Sequence, residues 1–284
     1  MTKMKRIIAA ALVLGIIGAT PGLLDRQSLA SAAPQTGKDS AVIDLTGYWV
    51  SIVDEDWRWR MVTPAKGDYA SIPLNAEGKK AADSWDLAKD DAEGNQCRPY
   101  GAAALMRLPT RLHVAWKDDN TLQIDTDAGT QSRLLHFDGP KWKGGEPTWQ
   151  GDSFAAWEKQ SIGNGYGPRS GGPVPGKGGT LHVVTMHMRP GYYRKNGVPY
   201  SQDAILTEYF NRVDMATGAG PGEGNGDGEG SRSYLIVLTV VHDPKYLRED
   251  FITSEQFLRE PDGAKWHPTP CSTERPSRYN RFAD

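Results

Sequence analysis

Arg111-Leu-His-Val-Ala-Trp-Lys-Asp-Asp-Asn-Thr-Leu-Gln-Ile-Asp-Thr-Asp-Ala-Gly-Thr-Gln-Ser-Arg-Leu-Leu-His-Phe137 is the stretch whose pattern decides the fold. Leu112, Val114 and Trp116 recur at every second position, the period of a strand with one buried face. Asp118-Asp119-Asn120 forms a turn, Leu122 and Ile124 resume the alternation, and Gln131 to Phe137 adds a third strand. Working outward from this meander, strand-forming runs appear at Tyr48–Val53, Ser153–Trp157, Thr180–Met188, Ala204–Val213, Tyr234–His242 and Ile252–Leu258. One segment reads differently. From Asn75 to Ala92, Ala81, Ala82, Trp85 and Ala88 recur at helical spacing among charged residues. Eight or nine short strands with one early helix predict a mainly β protein, a single antiparallel barrel or sandwich rather than a βαβ fold. Gly163–Gly179 and Gly218–Gly230 are loops by composition, inserted between strands of one domain.

The N-terminus carries Lys3, Lys5 and Arg6, then an apolar run from Ile7 to Ile17 and an Ala30-Ser31-Ala32 cleavage pattern. This predicts a secretory signal peptide over 1–32, too short in its apolar part to span a bilayer, and a mature domain over 33–284. No cysteine lies near the cut, which excludes a lipoprotein. The whole chain has 33 basic and 35 acidic side chains. Without residues 1–32 it keeps 29 basic and 34 acidic groups, a net charge of −5. Nucleic acid and anionic lipid both need a basic face, so neither is an expected partner. Cys97 and Cys271 are the only cysteines. An exported pair is most simply one disulfide, closing a loop of roughly 175 residues, worth at most about 5 kcal/mol of chain entropy.

Three motif-like stretches lack the residues their chemistry needs. Gly171 to Lys177 imitates a phosphate-binding loop, yet Gly178 stands where a Mg²⁺-binding hydroxyl belongs, and Pro173 and Pro175 offer no amide donors. Glu223-x-Asn225-x-Asp227-Gly228 opens like a calcium loop whose last ligand position is Tyr234. His182 and His187, five apart, fall on opposite faces of a strand. His182, Met186 and Met188 share a face, a soft copper(I) set if that face lines the barrel and a core stripe otherwise. No nucleotide, flavin or metal signature survives, so any expected chemistry belongs to side chains without a cofactor.

The aromatic residues point further. Of nine tryptophans, Trp49, Trp57, Trp59 and Trp116 lie early and are candidates for a ligand-binding wall, with barrel filling as the other reading. Trp57 and Trp59 alternate with Arg58 and Arg60. Thr185, His187 and Arg189 share strand parity and lead into a loop crowded with Tyr192, Tyr193, Arg194, Lys195 and Tyr200, placed to close over a bound molecule. His187 is the candidate acid or base, Glu208 its partner, and Arg189 and Tyr193 the groups that stabilise developing negative charge. Glu208 also has Arg212 on its face as an ion-pair partner.

The chain resembles exported bacterial lipocalin-like β-barrel proteins. The resemblance rests on Leu45-Thr-Gly-Tyr-Trp49, Cys97-Arg-Pro-Tyr-Gly101, Trp149-Gln-Gly-Asp-Ser-Phe-Ala-Ala-Trp-Glu158, Gly179-Thr-Leu-His-Val-Val-Thr185, Leu206-Thr-Glu-Tyr-Phe-Asn-Arg212 and His242-Asp-Pro244. It implies a lipocalin-like barrel around a central cavity. The chain departs from an ordinary lipocalin in its length, its early helix and its long Gly/Pro-rich loops.

The expectation is a periplasmic or secreted barrel that binds a small hydrophobic or aromatic molecule. Metal-independent elimination, isomerisation or cyclisation on that molecule, lyase or isomerase chemistry, is the catalytic form of the reading. A non-catalytic carrier and a periplasmic copper-handling protein are the alternatives. Oligomeric state is not encoded in any pattern found here.

Overall fold

A computed structural model describes residues 35–139, 145–159, 179–216 and 231–272. The signal segment, the imitation phosphate loop and the imitation calcium loop lie outside the described residues.

Eleven strands are described. β1 is Gly47–Ile52, β2 Arg111–Asp118, β3 Thr121–Thr126, β4 Gln131–His136, β5 Asp152–Lys159 and β6 Gly179–Met186. After them come β7 Gly191–Arg194, β8 Val198–Tyr200, β9 Ile205–Ala216, β10 Ser231–His242 and β11 Phe251–Glu260. Nine of them close a barrel in the order β1-β11-β10-β9-β6-β5-β4-β3-β2, and β7 and β8 form a separate ribbon. Closure leaves the barrel without an unpaired edge. Pairing is antiparallel except between β4 and β5, which run parallel over Leu135↔Ser153 and His136↔Phe154. The long β9–β10 ladder runs from Ser231↔Ala216 to His242↔Ile205.

The alternation in the opening stretch does what its period requires. Leu112, Val114, Leu122, Ile124 and Leu135 are buried, joined from other strands by Trp49, Leu181, Val183, Phe210, Leu235, Val237 and Phe257. Trp49 is fully buried and donates its indole N–H to Leu45 O at 3.0 Å. The interior is thus packed with side chains, where the family resemblance implied a central cavity. A barrel of this strand number is just wide enough for side chains to fill.

Four short helices lie between β1 and β2: α1 Trp57–Met61, α2 Ala76–Asp83, α3 Leu87–Ala92 and α4 Ala102–Leu105. The expected helix over Asn75–Ala92 is two. Asn75 caps α2 by accepting from the Gly78 amide at 2.8 Å, and Asp86 starts α3 by accepting from Ala88 N at 3.0 Å. Between them Trp85 turns away, donates to Asp90 Oδ2 at 2.9 Å and covers Gly197, where a Cβ would lie 2.0 Å from the indole. Every residue of α4 is buried. Leu105 belongs to the barrel core, whereas Ala102 and Ala103 belong to a second core with Tyr193, Tyr200, Val241 and Phe251. α4 is therefore the plug between barrel and cap. The Cys97–Cys271 disulfide, Cα to Cα 5.1 Å, ties the turn before α4 to the C-terminal segment. Among the described residues no helix is long and apolar enough to cross a membrane.

Candidate functional site

At the capped mouth, α1, α4 and the β7–β8 ribbon enclose a cavity of about 300 Å³ lined by Trp59, Met61, Tyr100, Arg107, Tyr193, Arg194 and others. Its walls are aromatic and cationic. Trp59 comes from α1, where Arg58 and Arg60 flank it. Trp57 and Trp59 sit on a helix rather than a strand, so their two-residue spacing does not align them: Trp57 is 62% exposed. Tyr100 stands in the 3-10 turn before α4, and Lys195 Nζ lies 4.9 Å from its ring centre.

Four cations, Arg60, Arg107, Arg194 and Lys195, line the cavity, while the carboxylates near them stand outside its lining. Arg107 donates to Glu255 Oε1 at 3.1 Å and Asp56 Oδ2 at 2.8 Å, a compensated buried arrangement. Arg60 is held by the Arg107 carbonyl at 2.9 Å and Ser51 Oγ at 3.2 Å, both neutral. Burial lowers the Arg60 pKa, and Arg107 adds to the effect while Glu255 opposes it. Arg194 is buried, lies 5.3 Å from the centre of the Trp59 ring and donates one hydrogen bond, to Ser71 Oγ at 2.7 Å. Its Nε and second terminal nitrogen have no hydrogen-bond partner. Desolvation, then repulsion from Arg107, pushes this guanidinium down to about 10. Burial also drives the Glu255 carboxyl upward against the pull of Arg107.

The residues expected to act together occupy different neighbourhoods. Glu208 is fully buried inside the barrel and pairs with Arg133, not Arg212: the two carboxylate oxygens accept at 3.0 and 2.6 Å. Arg212 instead reaches Asp214 at 3.0 Å and Ser233 at 3.2 Å. Thr185 is buried, so its face is the interior one, but β6 ends at Met186 and parity does not carry on to His187. His187 has a left-handed backbone, φ 58°, and its Nδ1 lies 2.9 Å from Asp152 Oδ2 on β5. Arg189 is exposed and stacks on Trp149, 4.5 Å from the ring centre. Tyr193 packs against Tyr200 and Phe251 in the cap, its hydroxyl without a hydrogen-bond partner. Burial raises that phenol well above its ordinary range.

The tryptophan wall is likewise dispersed. Trp49 is core, and Trp116 stacks with Phe137 near the β2–β3 turn, at the end of the barrel away from Trp59. His182 faces outward, stacked on Tyr209 at 4.7 Å with Glu158 3.1 Å away. Met186 is exposed and Met188 is buried in the cap core, so the three do not form one soft-ligand face.

The sequence reading missed Tyr100, Arg107, Arg133 and Glu255. A signal existed for two of them. Arg107 is the lone charge in the apolar run Ala102 to Leu108, and Arg133 shares the core-facing parity of Leu135. A charge on a buried parity needs a partner.

A groove of about 590 Å³ lies next to the first cavity and is lined by Trp57, Met61 and Arg111 among others, and another of about 370 Å³ is lined by Gln131, His136, Trp149, Gln150 and Asp152, the last of which holds His187 from outside the lining. Comparison with known proteins finds no family model, no curated protein and no solved structure that matches this chain.

Proposed function

We propose that this protein is an exported, lipocalin-like barrel that holds a small hydrophobic or aromatic molecule at its capped mouth. The observation that carries the reading is the meeting of Trp59, Tyr100 and Tyr193 around a cavity of about 300 Å³. That volume is at the small end of ligand pockets, and flat apolar walls with a few polar groups are the usual lining of such sites. The packed barrel supplies a rigid frame, while the ligand-facing residues come from the elements added to one end. The disulfide and the signal-like leader support a periplasmic or secreted location.

Calorimetric titration with naphthalene- and indole-sized aromatics tests the reading. Saturable binding that weakens at least tenfold in Trp59→Ala is expected. No binding across the panel, or equal binding by the variant, would count against it.

A specific observation favours a second, catalytic reading at His187, whose partner Asp152 lines the groove of about 370 Å³. His187 is a non-glycine residue with a left-handed backbone, held by a carboxylate, and such strain concentrates at working sites. In this reading His187 takes a proton from the carbon beside a carbonyl, leaving the electron pair as the enolate, and returns it to a carbon of the same molecule in a cofactor-free isomerisation, with Asp152 orienting the ring. The probe is 2-tetralone, an enolisable aromatic ketone, in D₂O. Deuterium uptake faster than in buffer, lost in His187→Ala, supports it; uptake at the buffer rate refutes it.

A further inference from the structure

The lining of the cavity at the mouth is cationic, and the carboxylates that act on its arginines, Asp54, Asp56, Asp68 and Glu255, stand outside that lining. Arg60, Arg107, Arg194 and Lys195 all line it, and no acidic side chain does. Asp56 and Glu255 are both bound to Arg107. Arg60 donates its hydrogen bonds to neutral acceptors, the Arg107 carbonyl and Ser51 Oγ, and Arg194 donates to Ser71 Oγ alone. A buried guanidinium is a fixed fork of five N–H donors, and leaving part of it unpaired away from water is costly. Arg194 is 6% exposed, with two nitrogens unpaired. Pure apolar binding needs none of this.

Building on the reading of this cavity as the ligand site, we infer that its ligand is an aromatic carboxylate, with the anionic group received by Arg194, Arg60 and Lys195 and the ring by Trp59 and Tyr100. A carboxylate presents two oxygens in one plane, matching the guanidinium fork, and charge-assisted bonds of this type are the stronger class. In a partly desolvated cavity the attraction is larger than at an open surface. The aromatic walls already carry cations on their faces: Arg194 over Trp59 at 5.3 Å and Lys195 over Tyr100 at 4.9 Å. Ring and charge sites are therefore adjacent, at the separation found within one small molecule.

The test compares 2-naphthoate with its neutral isostere 2-naphthamide by calorimetry on the full mature protein at neutral pH. Naphthoate is expected to bind at least tenfold more tightly. Arg194→Met should abolish that preference while leaving the ligand-free melting temperature unchanged or raised, because an under-paired buried cation has been removed. A merely structural Arg194 would give a lowered melting temperature and an intact preference. Lys195→Met, at a half-buried position, should reduce the preference several-fold and keeps the test open if the Arg194 variant does not fold. Naphthamide binding as tightly as naphthoate would overturn the carboxylate inference and leave the aromatic cavity standing. Binding of neither would overturn both.

Discussion

At the scale of single residues, the barrel interior holds two buried ion pairs, Arg107–Glu255 beneath the mouth and Arg133–Glu208. Arg133 and Glu208 are almost completely buried, joined by two hydrogen bonds, with Thr185 Oγ1 accepting from Arg133 at 3.2 Å. Removing one member of a buried pair strands a charge, at a cost of about 3–5 kcal/mol, whereas replacing both with apolar groups is often neutral. Arg133→Met and Glu208→Leu should each show that loss in urea denaturation, and the double variant should recover most of it. A double variant as unstable as the sum of the singles would show that the pair carries no coupling. Both inward orientations were legible from parity: Arg133 with Leu135, Glu208 with Phe210. Their pairing was not, because β5 and β6 stand between β4 and β9 and register across strands is not written in local pattern. His187 makes the opposite point. Its φ of 58° breaks the strand period one residue past β6, and no residue type announced it. Since β-branched residues tolerate this backbone worst, His187→Val should destabilise by more than His187→Gly does, read as melting temperature.

Elements follow the same division between what is periodic and what is positional. All nine barrel strands were expected, within a few residues of their ends, the meander from its alternation and the others as runs of strand-forming residues. The β7–β8 ribbon was not, because three or four residues cannot display a period; it appeared only as a Tyr/Arg/Lys-rich loop. α1 was misread for a related reason. Trp57-Arg-Trp-Arg60 alternates in type, yet it forms a five-residue helix, on which residues two apart do not face the same way. The split between α2 and α3 has its cause in Asp86, whose side chain accepts from two amides at the start of α3. An N-cap aspartate is worth about 1 kcal/mol, so Asp86→Ala should lower stability by that order in chemical denaturation. It should leave aromatic binding at the mouth unchanged, since α3 contributes no cavity residue.

Across the whole molecule, a filled barrel forms the frame and the proposed binding cavity lies in the elements added at one end. α4 joins them, and the disulfide pins the turn that carries Tyr100 to the segment around Cys271, 174 residues later in sequence. A bridge of that span stabilises by up to about 5 kcal/mol in the chain-entropy model. Replacing both cysteines with alanine should lower the melting temperature and also weaken 2-naphthoate binding several-fold, because Tyr100 loses its anchor. Unchanged affinity would separate the bridge from the site. The disulfide and the barrel were legible in composition and period, but the site was not: its residues arrive from four separate segments that only the folded cap brings together.

In the proposed function, ligand enters the capped mouth and not the barrel interior. Fluorine NMR of the protein labelled with 5-fluorotryptophan, its resonances assigned by single Trp→Phe variants, tests it most directly. Titration with 2-naphthoate should move the Trp59 resonance and leave Trp49 and Trp116 in place. Movement of Trp49 or Trp116 with Trp59 unchanged would place the ligand inside the barrel and contradict the account.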